Sequence, residues 1–316
     1  MAVRTAQATI GAAGAATTKR KFSWTPYLFI LPHLIFFAVF VCWPFINGLA
    51  ISLQQYDYLR PAQNQFIGLQ NYVDLFSPGT LTTNEFWDSM KNTGIFVLVS
   101  VPPLVVVPLL LAVLLNTKIP GRNLFRTIYF APWVLSVAVV GLLWWWIFQS
   151  SGGLMNYYLS QIGVTPPRWL SSLPWAWIAI TIATVWWTIG FNMIILLAAL
   201  QDIPDQLYEA ASLDGATPVQ TFFRVTLPML RPVLLFVVTI TIIASFNLFG
   251  QPFIMTNGGP PQANGTQATT PVMYRIYIQG FTRPLQGSAA AMSFVVAMVM
   301  VIVSFLNFKI FRQRDV

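Results

Sequence analysis

Charge is what this sequence has least of. Of its 316 residues only 8% are Asp, Glu, Lys or Arg while 56% are hydrophobic, against about 25% charged in a soluble globular domain. A water-soluble fold is excluded on that ground. Cysteine and histidine are nearly absent too. Cys42 and His33 each stand alone, so no intrachain disulfide can form and sites built from several His or Cys ligands drop out. His33, among Phe, Leu and Ile, reads as a packed or interfacial residue, and Cys42 as a small core residue. The chain holds no G-x-x-x-x-G-K-[ST] phosphate loop and no Gly-Lys pair at all. If it moves a solute uphill, the energy therefore comes from another chain. The net charge of +8 does not point to nucleic acid, because the cations punctuate apolar runs instead of clustering on one face.

What the chain does contain is six long uncharged intervals, 22 to 56, 92 to 117, 127 to 167, 169 to 201, 232 to 274 and 284 to 308. Each can house a spanning helix of about 20 residues. The apolar cores fall near 27–52, 94–115, 128–148, 175–200, 233–255 and 289–308. None contains an ionised side chain, each of which would cost about 2.5–3.5 kcal/mol at mid-bilayer. Pro44, Pro102, Pro103 and Pro108 lie inside them, which is tolerated where neighbouring helices satisfy the freed carbonyls. The expectation is an all-α membrane protein of six transmembrane helices, surrounded by lipid bilayer. A single membrane domain covers residues 22–316, and a disordered cytoplasmic tail covers 1–21. Signal-peptide apolar regions are about 7–15 residues long, so the longer first run reads as an uncleaved helix.

Twelve of the 17 cations, Arg4, Lys19, Arg20, Lys21, Lys118, Arg122, Arg126, Arg224, Arg231, Lys309, Arg312 and Arg314, fall on one side of an even-numbered topology. The other side has Arg60, Lys91, Arg168, Arg275 and Arg283. The positive-inside rule then puts both termini and the loop at 201–232 in the cytoplasm.

That loop, between the fourth and fifth spans, reads as two short helices with an elbow. Asp202 is the expected N-cap, with Pro204 in the first turn and acidic Asp205 suited to the positive helix end. Gly215 can take the left-handed conformation that stops the helix. Thr217, Pro218 and Gln220 then restart one as a capping box with proline at the first helical position, and Pro228 ends it. Glu209, Ala210, Ala211, Ser212, Leu213, Asp214, Gly215 and Ala216 spell E-A-A-x-x-D-G-A, followed by Phe222, Leu227, Pro228 and Pro232. This run closely resembles the signature loop of permease subunits of type I ATP-binding-cassette importers. Asn92-Thr93, Phe125 to Phe130 with Pro132, Ala199-Leu200-Gln201 and Thr256 to Pro260 extend the resemblance to its carbohydrate-uptake branch, and to the subunit that pairs with a second permease.

The resemblance implies a coupling helix that docks on a separate ATPase. The assembly it implies has a second homologous permease, two ATPase subunits and an extracytoplasmic solute-binding protein, in a prokaryotic cytoplasmic (inner) membrane. It also implies that this chain is no enzyme and binds no cofactor or metal, with ATP and Mg held by the partner ATPases. Ala210, Ala211 and Ala216 allow close approach, and Glu209 and Asp214 offer charges to a partner.

For the solute path, Thr184, Trp187, Thr188 and Phe191 follow i, i+3, i+4, i+7 spacing on one helix face, with Asn192 beside them. Thr241 and Ser245 stack four apart, and Asn247 and Gln251 form a second pair about 60° round the same helix. Hydroxyls and amides can bond sugar hydroxyls, and aromatic rings can cover apolar sugar faces. The same residue types also glue membrane helices together. Relative to maltose-type members, Thr188 replaces a small glycine, Phe191 replaces a tyrosine, and a large extracytoplasmic insertion is missing, so maltose itself is not implied. The rivals are a glycerol-phosphate or polyol importer, which for the phosphate ester would favour cations near the path; a membrane-embedded enzyme, which predicts catalytic groups at membrane depth; and a channel, which leaves the loop unexplained.

Overall fold

The computed structural model describes residues 24–117, 119–263 and 265–312. The expected tail at 1–21 lies outside the described residues, as do Arg4, Lys19, Arg20, Lys21, Lys118 and Arg314 of the charge tally.

The chain divides into two compact units, one ending at Asn47 and one beginning at Gly48. Helix α1 (Thr25–Phe37), in the first, passes through a π-helical turn at Ala38–Cys42 into α2 (Trp43–Ser52), within which the boundary falls. Together they give an apolar stretch, Tyr27–Ser52, long enough to cross a membrane. His33 stacks on Phe37 one turn away, with ring centroids 6.3 Å apart.

The second unit opens with a two-residue ladder, β1 (Gln54–Gln55) against β2 (Gln65–Phe66). Helices α3 (Gln70–Phe76), α4 (Leu81–Asn116), α5 (Arg122–Phe130), α6 (Val137–Phe148), α7 (Leu154–Gln161) and α8 (Trp175–Gln201) follow. After α8 come α9 (Asp205–Leu213), α10 (Pro218–Thr221), α11 (Leu227–Met229), α12 (Arg231–Phe246), α13 (Val272–Tyr277) and α14 (Gln286–Arg312). Among the described residues, four helices are long and apolar enough to cross a membrane, or up to six if each of two bent pairs is one span.

Those bent pairs correct the expected third and fifth helices. The run near 128–148 is not one helix. It bends by 99° between Arg122–Val134 and Val137–Phe148, because the chain passes through a 3-10 turn at Ala131–Val134 and leaves the helix at Leu135. The fifth helix bends by 70° from the segment that precedes it and stops at Phe246, short of the expected 255. The chain leaves the helix from Asn247 to Phe249, resumes helical geometry at Gly250 and Gln251, and continues as a π-helical turn at Pro252–Thr256.

The longest helix–helix contact is between α4 and α8, with α12 laid against α4. It explains how α4 carries the last of its three prolines, Pro102, Pro103 and Pro108. Pro108 has no N–H to give the carbonyl of Leu104, and the side chain of Asn192 on α8 donates to that oxygen instead, at 2.8 Å. The second amide hydrogen of Asn192 reaches Thr241 Oγ1 on α12 at 3.3 Å. One buried amide therefore ties three helices together where proline opened the ladder.

Apolar packing is organised at two ends of this frame. Leu109 and Leu115 of α4 meet Met193, Leu196 and Leu200 of α8 and Leu230 at one end. Phe96, Phe148, Trp169 and Trp177 cluster at the other. In lipid these contacts count as packing more than as removal of surface from water, since the surroundings are equally apolar.

Candidate functional site

The loop between α8 and α12 is built from local chemistry that the sequence spells out. Helix α9 closes with Gly215 at φ +72°. The N–H of Ala216 bonds the carbonyl of Ala211 at 2.9 Å and that of Gly215 bonds Ser212 at 3.1 Å, a complete Schellman stop. At Thr217 the capping box forms in both directions. Gln220 N–H donates to Thr217 Oγ1 at 3.3 Å and Thr217 N–H to Gln220 Oε1 at 2.8 Å. The start of α9 differs from expectation. Asp202 is the C-cap of α8 and Pro204 stands at the N-cap of α9 with no side-chain bond, because Ile203 is drawn into the core below. Pro228 does not end the second helix either. It lies within α11, and the chain turns at Leu230.

The loop has two faces. Tyr208, Phe222 and Leu227 pack against the core cluster that contains Leu200 and Leu230, and the hydroxyls of Tyr208 and Thr226 lie 3.3 Å apart. Outward, Glu209, Ala210, Ser212 and Asp214 are exposed. Leu213 is 90% exposed, Val219 66% and Phe223 60%, three bare apolar side chains on a polar loop. Ala211, Ala216 and Pro228 are half-buried. Neither Glu209 nor Asp214 forms an ion pair among the described residues. Val219 and Phe223 escaped the sequence reading, although their i, i+4 spacing beside Leu213 was there to be seen.

The polar midsections form a second group. The Thr184 hydroxyl donates to Ile180 O and that of Thr188 to Thr184 O, each at 2.8 Å; both keep lone pairs free to accept. Trp187 donates through Nε1 to Leu135 O at 3.1 Å. This is a carbonyl beside the break between α5 and α6. Trp133, from the 3-10 turn at that break, stacks on Phe191 at 4.7 Å between ring centres and lies 5.7 Å from Trp187. The stripe on α8 is thus joined by an aromatic partner from another segment.

On α12 the Ser245 and Ser100 hydroxyls are 3.3 Å apart, buried between helices. Thr241 is buried against Asn192. Asn247 caps α12, exposed, with its Nδ2 on Ile243 O at 2.8 Å. Gln251 is 4% exposed. The helix ends at Phe246 and the chain is non-helical from Asn247 to Phe249, so the expected i, i+4 pair of Asn247 and Gln251 on one helix does not form. Ser100, the one hydroxyl in the apolar run 94–115, and Trp133 were not singled out from the sequence.

The end of α4 and α8 away from the loop is closed by charge and by tight turns. Glu85 near the start of α4 is bonded by both Arg275 and Arg283, the latter through two nitrogens at 2.8 and 3.0 Å. Burial, and then the neighbouring Arg283, pull the Arg275 guanidinium down to about 10, so it remains charged at neutral pH. Asn257 and Gly258 both take positive φ, 49° and 80°, and Asn257 Oδ1 accepts from the Tyr274 hydroxyl at 2.8 Å. Only the turn residues of this cap were legible in advance.

Residues 79–314 match the family described as "Binding-protein-dependent transport system inner membrane component". Relatives include the arabinooligosaccharides transport system permease protein AraP of Bacillus subtilis (strain 168), 33% identical over 287 residues, covering 90% of this chain and 88% of that one. The sn-glycerol-3-phosphate transport system permease protein UgpA of Shigella flexneri is 34% identical over 292 residues, 92% of this chain and 95% of that one. Among solved structures, a chain of a bacterial ABC transporter involved in the import of the acidic polysaccharide alginate superposes with a TM-score of 0.79 at 25% identity, over 93% of this chain and 96% of that one.

Proposed function

The chain belongs to the family of binding-protein-dependent transport system inner membrane components, and from that premise we propose that it is a permease subunit of an ATP-driven sugar importer. It lies in a prokaryotic inner membrane as six spans, each bent pair counting as one, with both termini and the α9–α10 loop in the cytoplasm. It works with a second homologous permease, two ATPase subunits that hold ATP and Mg, and an extracytoplasmic solute-binding protein. It carries no catalytic group, cofactor or metal of its own.

The observation that carries this reading is the loop with two faces. Glu209, Leu213 and Asp214 stand bare on one side, while Tyr208, Phe222 and Leu227 are packed into the core shared by α4, α8 and α12. A partner that moves the bare face moves the packed one, and with it the ends of three helices. That is rigid-body gating of the kind expected for alternating access. Ala210, Ala211, Ser212, Gly215, Ala216 and Pro228 shape this lever, in keeping with the sequence reading.

The solute path in this account runs along Thr184, Trp187, Thr188 and Phe191 of α8 and Thr241, Ser245, Asn247 and Gln251 beyond it. Asn192 holds the helices at that level. The chemistry is hydroxyl, amide and aromatic, with no ionised group among these residues. A neutral polyhydroxylated solute suits that lining. A glycerol-phosphate substrate, suggested by the likeness to UgpA, would need cations or helix N-termini there, and a sugar is accordingly preferred.

In the assembled transporter, Trp187→Ala and Ser245→Leu are expected to lower solute-stimulated ATP hydrolysis about tenfold or more, the effect of losing one or two net contacts. The unstimulated rate should stay within about twofold. Unchanged stimulation across Thr184, Trp187, Thr188, Ser245 and Asn247 variants would move the path elsewhere.

A further inference from the structure

A half-open cleft of about 470 Å³ lies where α4 and α8 end away from the loop. Asp88, Lys91 and Asn92 of α4 line it, with Pro174 and Trp177 at the start of α8 and Gln262 from the turn beyond Asn257. None of these belongs to the solute path described above.

Two of these side chains are almost wholly enclosed, Asn92 at 4% and Trp177 at 5% exposed. Each nevertheless keeps a polar atom without a partner among the described residues. Asn92 spends its amide hydrogens on Gln267 O at 3.0 Å and Thr270 O at 3.2 Å, which leaves Oδ1 with no donor. The Nε1–H of Trp177 has no acceptor. Neither atom is sealed from solvent in the way that Trp144 Nε1 and Thr181 Oγ1 are, so both open on the cleft that their side chains line. An acceptor and a donor that open on one cleft are both available to whatever occupies it. A sugar hydroxyl, donor and acceptor at once, does so.

The rest of the lining agrees. Lys91 and the Gln262 side chain have no partner among the described residues, whereas Asp88 is already engaged. One cation balanced by one carboxylate does not favour a phosphate or a polyanion. Pro174 and the Trp177 ring offer apolar walls to the C–H faces of a sugar. The volume, about 470 Å³, falls in the range of about 300–1,000 Å³ for small-ligand sites and is many times the roughly 30 Å³ of one water.

We propose that this cleft is an outer subsite for one glycosyl unit of an oligosaccharide; the assignment rests on the sugar-import reading above. Trp177 lies seven residues from Thr184 along α8, about 10 Å. Asn92 lies eight residues from Ser100 along α4, about 12 Å. A chain held here by one unit has further units within reach of the level where Ser100 meets Ser245, so the subsite distinguishes long ligands from short ones.

The test uses the complete transporter in nanodiscs without its binding protein, and disaccharides and hexasaccharides of the arabinan, maltodextrin and alginate series as probes. Binding is read by saturation-transfer NMR on these nanodiscs, and uptake in proteoliposomes supplied with the binding protein. For the series that the wild type carries, Trp177→Phe and Gln262→Ala are each expected to weaken hexasaccharide binding about three- to tenfold, the loss of one net hydrogen bond. Disaccharide uptake should not change. Gln262 and Lys91 sit at the rim, so Gln262→Ala and Lys91→Ala keep the test decisive if Trp177→Phe fails to assemble. Unchanged hexasaccharide binding in all three variants overturns the subsite, while wild-type oligosaccharide uptake leaves the sugar reading standing. Unchanged hexasaccharide binding with lost docking of the sugar-free binding protein also overturns it, and identifies a protein loop as the occupant. A wild type that carries none of the probes overturns the sugar reading and the subsite together.

Discussion

Replacing Gly215 with proline is expected to cut solute uptake by at least about 100-fold and to release the ATPase subunits on purification, with membrane insertion unchanged. The reason is local. Gly215 holds φ +72°, and proline is fixed near −65°. Proline also deletes the N–H that bonds Ser212 O at 3.1 Å. Without the stop, α9 and α10 lose their mutual angle, and the bare face made by Glu209, Leu213 and Asp214 loses its shape. A docking loss of about 2.7 kcal/mol is already a hundredfold in affinity. Gly215→Ala gives a graded check, since an alanine in the left-handed region costs about 1–2 kcal/mol and should weaken ATPase association about tenfold. Glu209→Lys, which reverses a charge without touching the fold, should behave like Gly215→Pro. Uptake within about twofold of wild type in the proline and lysine variants would remove the loop from the coupling mechanism.

A second large effect is expected at Gly190, where two segments of the path come together. A Cβ built there meets Tyr129 O at 2.2 Å and Phe130 Cα at 2.5 Å, both backbone atoms. Backbone cannot swing aside as a side chain can, so Gly190→Ala must push α5 from α8 and disturb the contact of Trp133 with Trp187 and Phe191. Overpacking of this kind costs up to about 3 kcal/mol, which corresponds to a fall of up to about 5 °C in the unfolding temperature at about 2.1 cal/mol/K of unfolding entropy per residue. Thermal unfolding of the purified complex reads it directly. Gly94→Ala is the control, because nothing lies within 4 Å of a Cβ there, and alanine in a helix is favoured over glycine by about 1 kcal/mol. Equal unfolding temperatures for the two variants would mean that α5 and α8 are not held as close as described.

The parts of this molecule that were legible in advance are those governed by chemistry within one or two turns. The positive φ at Gly215 and the capping box at Thr217 and Gln220 depend on neighbours three residues away, and both formed as read. The long apolar helices follow from the absence of charge over 27–52, 94–115, 175–200 and 289–308. Where the reading went wrong, a contact distant in sequence decided the outcome. Asp202 has the right side chain for an N-cap, but burial of Ile203 assigns it to the end of α8. Pro132 was visible, yet the 99° bend beside it depends on Trp187 claiming the carbonyl of Leu135 and Trp133 settling on Phe191. Asn247 and Gln251 were placed on one face by assuming that α12 continues. The chain instead leaves the helix at Asn247, and Gly250 packs so closely on Val137 that an added Cβ would lie 2.5 Å from a methyl. The pairing of Asn192 with the Leu104 carbonyl was half legible, since Pro108 announces an orphan oxygen four residues back. Which helix would satisfy it could not be read without the fold.

Gentle purification from the native membrane, with mass spectrometry of what accompanies this chain, tests most directly whether it is one of two permeases driven by separate ATPases. The expected result is recovery of a second homologous permease and an ATPase subunit in fixed proportion, both permeases present at parity, with the ATPase lost when Glu209 is changed to lysine. A chain that comes through several mild detergents alone, or with its own copies only, would contradict the account and point to a channel.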